Sequence, residues 1–219
     1  MILQAKHLTK TFRYPKKFSV LQDISLDVAP GEAIAICGRS GEGKTTLLHI
    51  LGTLEEADAG RLTIADQLVT PANVHTIRNQ HLGFIFQAFN LLEDFTALEN
   101  VAMPSRIARK PLPLSAAEEL LKQVDLQDRA HFPAKLLSGG EKQRLAIARA
   151  LCNNPDLILA DEPFGNLDAG NASAIAALLL KLVKEKNKSL ILVTHDPDLA
   201  RLCDRTLFLC KGKLDEKPI

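Results

Sequence analysis

The chain has no tryptophan, one tyrosine and two methionines among its 219 residues. Its four cysteines, Cys37, Cys152, Cys203 and Cys210, show neither CxxC spacing nor paired histidines. Zinc-finger and disulfide-scaffold readings therefore lack support, and a reducing cytoplasm is the expected compartment. No apolar run approaches the ~20 residues that cross a bilayer; the longest, Ala174 to Val183, is interrupted by Lys181. The first residues, Met1 to Lys6, offer no basic head before an apolar stretch and do not read as a secretory signal. A large excess of either charge is also missing. Twenty-seven Lys plus Arg against 26 Asp plus Glu leave +1, which argues against a duplex binder that neutralises many phosphates, so no nucleic-acid partner is expected. Repeats of 20 to 50 residues and Gly/Ser or Pro-rich linkers are absent, which excludes solenoids and beads on a string.

What is there is a globular composition, 46% hydrophobic and 24% charged, in short apolar runs. Ala33–Cys37, Leu82–Phe86, Leu157–Ala160, Leu190–Val193 and Leu207–Cys210 are continuous rather than alternating, as strands buried on both faces are. Between them stand helical patterns at Thr45–Leu51, Glu99–Arg109, Ala116–Val124 and Glu141–Cys152, and a stripe of Ile175, Leu178, Leu179, Leu182 and Val183. Strand and helix alternate, which predicts an α/β domain with parallel strands joined by right-handed crossovers. From Ala88 to Asn154 helix follows helix with no strand between. The expected organisation is one domain, 1–219, with a sheet lobe (1–87 and 155–219) and an inserted helical lobe (88–154).

The strand ending at Cys37 runs into Gly38-Arg-Ser-Gly-Glu-Gly-Lys-Thr-Thr46 and then an apolar helix. This is strand, GxxxxGK[ST], helix. Gly38, Gly41 and Gly43 let the backbone fold so that its N–H groups, Ser40 included, face an anion, and the helix N-terminus adds partial positive charge. Lys44 would reach β and γ phosphates, Thr45 would place its hydroxyl on Mg2+, and Thr46 follows in the first turn. Leu157-Ile-Leu-Ala-Asp161-Glu162 then delivers two carboxylates to the carboxyl edge of the sheet, where ligands of open α/β sheets bind. Asp161 is the candidate Mg2+ holder and Glu162 the candidate general base. His195 should emerge at the same edge and could orient water on the γ-phosphate. Gln87, after Leu82–Phe86, repeats that geometry and could ligand Mg2+ or cap a turn.

Ser138-Gly-Gly-Glu141 fits a capping box, yet two adjacent glycines at a helix start also favour close approach by a ligand to a second anion site. Phe89, Leu91, Leu92 and Phe95 form a dense apolar set that either fills the helical lobe or forms a groove for a partner's helix.

GRSGEGKTT, LLSGGEKQR, LILADEP, GNLD and VTHD, in this order, resemble the nucleotide-binding domain of ABC transporters, and the match covers essentially the whole chain. The resemblance implies a P-loop NTPase sheet lobe with a helical signature lobe and an N-terminal antiparallel β portion. It also implies a head-to-tail homodimer that sandwiches two ATPs. There Ser138, Gly139 and Gly140 of one subunit would hold the γ-phosphate bound to the other, with Asp168 between the sites. Phe12 stands where the family stacks an aromatic residue on adenine, with Tyr14 as a rival. Phe164 stands where a small polar residue is usual. Membrane subunits of the family seat near Gln87–Phe95. Within the family, LGFIFQAFNLLEDFTALENVAMP and LADEPFGNLDAGNA resemble the ATPase subunit of the lipoprotein-releasing, Lol-type branch, which implies a peripheral enzyme on the cytoplasmic face of the inner membrane. MacB-type efflux and FtsE-type division ATPases are alternatives, and a soluble ABC ATPase acting on DNA or ribosomes is a further one.

Overall fold

The structure, a computed structural model, describes residues 1–13 and 18–216. Strands β1 (Leu3–Phe12) and β2 (Phe18–Val28) lead into β3 (Ala33–Cys37) and helix α1 (Lys44–Leu51). The chain continues through β4 (Ala59–Ile64), β5 (Gln67–Leu68), α2 (Val74–His81) and β6 (Leu82–Phe86). Three helices follow: α3 (Ala97–Ile107), α4 (Leu114–Gln123) and α5 (Gly139–Ala150). The last part runs β7 (Leu157–Asp161), α6 (Ala169–Glu185), β8 (Ser189–Val193), α7 (Pro197–Ala200), β9 (Arg205–Cys210) and β10 (Lys213–Glu216).

Two sheets result. One is antiparallel, in the order β2-β1-β4-β5; the other has the order β10-β9-β3-β8-β7-β6, parallel except for β10 at its edge. The continuous apolar runs are explained by the two faces of the parallel sheet. Ala33, Ala35 and Cys37 of β3 face a core shared with α3 to α6, while Ile34 and Ile36 face a second core shared with α1 and the antiparallel strands. Each fully buried Leu or Ile side chain contributes about 1.5–3 kcal/mol, so a one-residue slip of β3 would exchange both cores at once.

The α3 and α5 starts are fixed by capping boxes. Thr96 and Ser138 accept from the backbone N–H of Glu99 and Glu141, whose carboxylates reach back to the N-cap N–H. Helix α5 begins at Gly139, two residues before the expected start, because its cap is Ser138; α4 begins at Leu114 rather than Ala116. Between Ala88 and Asn154 the described residues hold no named strand, only an isolated bridge from Thr96 to Pro133.

Candidate nucleotide site

Register builds the site. Ile36 pairs with Val193, Asp161 with Val193, and Phe86 with Asp161. The carboxyl ends of β3, β8, β7 and β6 are therefore level. The glycine-rich loop, Glu162 and Gln87, which follow their strands directly, and His195, two positions after Val193, are delivered to one edge. A cavity of about 700 Å3 there is lined by Phe12, Gly38, Ser40, Gly41, Gly43, Lys44, Thr45, Thr46, Gln87, Glu162 and His195. Its wall also includes Phe18, Val20 and Arg39, which the sequence reading missed. Phe18 pairs with Phe12 across β1 and β2 and is more than half exposed. Tyr14 lies outside the described residues.

Gly43 caps α1 with φ 94°, a left-handed conformation costly for a residue with a side chain. A Cβ there would stand 2.3 Å from Val20 Cγ1. Lys44 is buried, and its ammonium donates to the carbonyls of Gly38 (2.9 Å) and Arg39 (3.2 Å) within its own loop. Its Nζ is 3.9 Å from Glu162 Oε1.

Glu162 sits at φ 43° and its N–H donates to the carbonyl of Val193. Strained backbone of this kind costs of order 1–3 kcal/mol and clusters at functional sites. Here it turns the chain out of β7, with Asp161 and Glu162 making different contacts. Glu162 Oε2 is 2.8 Å from Nδ1 of His195. A carboxylate only accepts, so Nδ1 donates. Asp161 Oδ1 accepts from Thr45 Oγ1 at 3.1 Å. Burial raises the Asp161 carboxyl above its ordinary range, partly offset by the Thr45 hydroxyl. Hydroxyl, carboxylate and the Gln87 amide are a hard oxygen donor set of the type Mg2+ prefers.

Phe164 is buried in the core shared with α3 to α6, which accounts for a large apolar residue at that position. Asp168 caps α6, accepting from the backbone N–H of Asn171, and this bond first of all holds its carboxyl below the ordinary range. Ser138, Gly139, Gly140 and Asp168 do not line the cavity. Ser138 and Gly139 are exposed. A Cβ at Gly139 or Gly140 would meet its nearest neighbours at ordinary contact distances of 3.6 and 3.7 Å, so nothing in this subunit requires glycine there.

A family description, ABC transporter, matches residues 21–165. The lipoprotein-releasing system ATP-binding protein LolD of Protochlamydia amoebophila is 54% identical over 219 residues, 98% of this chain and 96% of that protein. The protein of the same name from Shewanella oneidensis is 46% identical, over 98% of this chain and 96% of its own. Among solved structures, an ATP-binding cassette dimer in a post-hydrolysis state with ADP and Pi superposes with a TM-score of 0.88 at 35% identity, covering 99% of this chain and 100% of that one. A dimeric bacterial ABC transporter cassette gives 0.87 at 36% identity, with the same coverage. Matched across its phosphate cradle by the family and along nearly its whole length by these relatives, the chain belongs to the ABC transporter family.

Proposed function

We propose that this chain is the ATP-hydrolysing subunit of a transporter that releases lipoproteins from the inner membrane. The observation that carries the chemistry is the Glu162–His195 pair held at the mouth of the Lys44 cradle. The cargo is supported by near-full-length identity to proteins named for lipoprotein release.

In this reading the loop from Gly38 to Thr46 binds the triphosphate, with Lys44 leaving its own loop carbonyls for β and γ oxygens. Phe12, with Phe18 beside it, stacks on adenine. Thr45, Gln87 and Asp161 hold Mg2+, which when bound neutralises charge on the β and γ phosphates. Glu162 takes the proton of the attacking water. His195 holds that carboxylate through Nδ1. Its Nε2, without a partner among the described residues, reaches the γ-phosphate and donates when the ring is protonated.

The working unit is a homodimer. Ser138, Gly139 and Gly140 of one subunit close on the nucleotide of the other, and Asp168 lies between the two sites. No contact within this subunit calls for glycine at 139 or 140. Close approach by another molecule does. Residues 1–87 and 155–219 act as the nucleotide lobe and 88–154 as the helical lobe that carries the signature.

No helix among the described residues is long and apolar enough to cross a membrane. In this reading two integral membrane subunits of the Lol type dock near Gln87–Phe95 and hold the enzyme peripherally at the cytoplasmic face. Leu92 and Phe95 are each about 40% exposed there, on a segment tied to α3 by the buried Asn100 amide, which bonds the carbonyls of Leu92, Phe95 and Thr96.

The test is to recover the tagged chain from detergent-solubilised membranes of its host. Co-purified integral subunits that release lipoprotein on ATP addition would support the reading. Recovery with ribosomal or DNA-bound partners alone would overturn transport and leave the ATPase chemistry standing.

A further inference from the structure

Helix α3 ends at Ile107 and α4 begins at Leu114. The corner between them is pinned from inside. Buried Ser105 accepts the Lys110 N–H at its carbonyl (3.0 Å) and the Leu112 N–H at its hydroxyl (2.9 Å). Leu112 packs against the core shared with α3 to α6, and Arg109 is left-handed at φ 56°. Two sets of side chains on this corner are left without partners in the subunit. Ile107 and Leu114 are 67% and 63% exposed, two of the three most exposed large apolar side chains among the described residues. Arg106, Arg109 and Lys110 are exposed and make no ion pair among the described residues. No Asp or Glu stands between Glu99 and Glu118, and the Glu99 carboxylate is taken up by Thr96. The hollow of about 410 Å3 that Lys110 lines, beside Asn79, Gln80, Asn153 and Asn154, has no acidic wall either.

We propose that the α3–α4 corner rests on the bilayer itself, with Arg106, Arg109 and Lys110 on anionic lipid headgroups and Ile107 and Leu114 set among them. A lone exposed aliphatic residue needs no explanation. Two of them interleaved with three uncompensated cations call for a partner that is at once anionic and apolar, which describes the headgroup layer of an anionic bilayer. The corner carries no aromatic side chain, the usual anchor of a protein interface. The inference rests on the peripheral reading above and adds a direct lipid contact to it. The last turns of α3 border Asn90 and Leu92 of the docking segment, which puts the corner on the side that docking brings to the membrane.

The experiment has two arms. The complex with its membrane subunits is reconstituted into bilayers of phosphatidylglycerol and phosphatidylcholine in equal parts, in a Cys210→Ser background because Cys210 is the exposed cysteine. A fluorophore on Leu114→Cys should be quenched by a nitroxide on the lipid headgroups, and one on Leu68→Cys, 51% exposed on β5, should not. In the second arm the full chain without membrane subunits should co-sediment with vesicles of the same composition and not with phosphatidylcholine alone. Arg106→Glu, Arg109→Glu and Lys110→Glu together should weaken that binding about a hundredfold, from a factor of about five per cation, with basal ATPase kept as evidence of folding. No quenching at 114 in the assembled complex overturns the inference and leaves docking intact. Quenching that the charge reversals leave unchanged overturns the headgroup contact. Charge reversal that breaks assembly, with 114 unquenched in the parent, assigns the corner to an acidic protein surface instead. If the complex does not assemble at all, docking fails and the vesicle arm alone decides.

Discussion

Glu162 Oε2 and His195 Nδ1 are 2.8 Å apart although 33 residues separate them in the chain. The carboxylate is mostly shielded while the imidazole is 71% exposed, so the proposed base is held from the open side of the cavity. Glu162→Gln should cut turnover by about 10²–10⁴, the contribution of a general base, while ATP binding persists. His195→Ala removes the holder and leaves the base, so its loss should be smaller. Steady-state turnover beside equilibrium nucleotide binding checks both; unchanged turnover in Glu162→Gln would remove it from that role.

Asp161 carries a raised pKa because burial disfavours its charge. A group whose folded pKa exceeds its unfolded value contributes stability below the unfolded pKa and loses it as pH rises through the folded one. At neutral pH the ionised carboxylate is therefore a burden on the empty fold. Asp161→Asn should raise the melting temperature of the nucleotide-free chain at neutral pH, with the gain shrinking in acid, and should abolish Mg2+-dependent turnover. Thermal melts across pH, with and without Mg2+-ATP, read both effects.

Ser138 caps α5 and, in the proposed dimer, meets the γ-phosphate held by the other subunit; substitution separates the two. Glu141 completes the box with its carboxyl held below the ordinary range chiefly by the Ser138 backbone N–H. That lowered pKa means stability present above the unfolded value and lost as pH falls through the folded one. Ser138→Ala should cost about 1 kcal/mol. Ser138→Asp keeps a good cap yet sets a negative charge where the proposed dimer brings the γ-phosphate. Melting near that of the parent, with activity lost, is the expected signature of Ser138→Asp; normal activity would contradict the role across the dimer.

Phe12→Ala should raise the KM for ATP about five- to 150-fold, from stacking worth about 1–3 kcal/mol. Inhibition by tripolyphosphate, which has no base, should not change. An equal loss for both ligands would mean that Phe12 shapes the cradle instead.

The parts most legible in the sequence are those where local chemistry and burial agree. Ala33–Cys37 reads as a strand because its continuous apolar run matches burial on both faces, and GRSGEGKTT because a glycine-rich loop between such a strand and a helix start forms an anion nest. The N-terminal strands were visible through family resemblance alone. In β1 the inward set is Leu3, Ala5, Leu8 and Lys10, so the alternation slips at His7, which has φ 55° and lies at a register shift opposite β2. A bulge of this kind erases the period-2 signal. The Glu162–His195 contact depends on strand register and could not be read from either motif by itself. Ser138 and Gly140 were legible as a motif, while their distance from the cavity required the fold.

The central claim is that one subunit's signature completes the other's nucleotide site, and sedimentation of the Glu162→Gln chain with Mg2+-ATP tests it most directly. The account expects a dimer holding two nucleotides, converted by an added Ser138→Asp into a monomer that still binds ATP at Lys44. A monomer in the first case, or a dimer unaffected by Ser138→Asp, would contradict it.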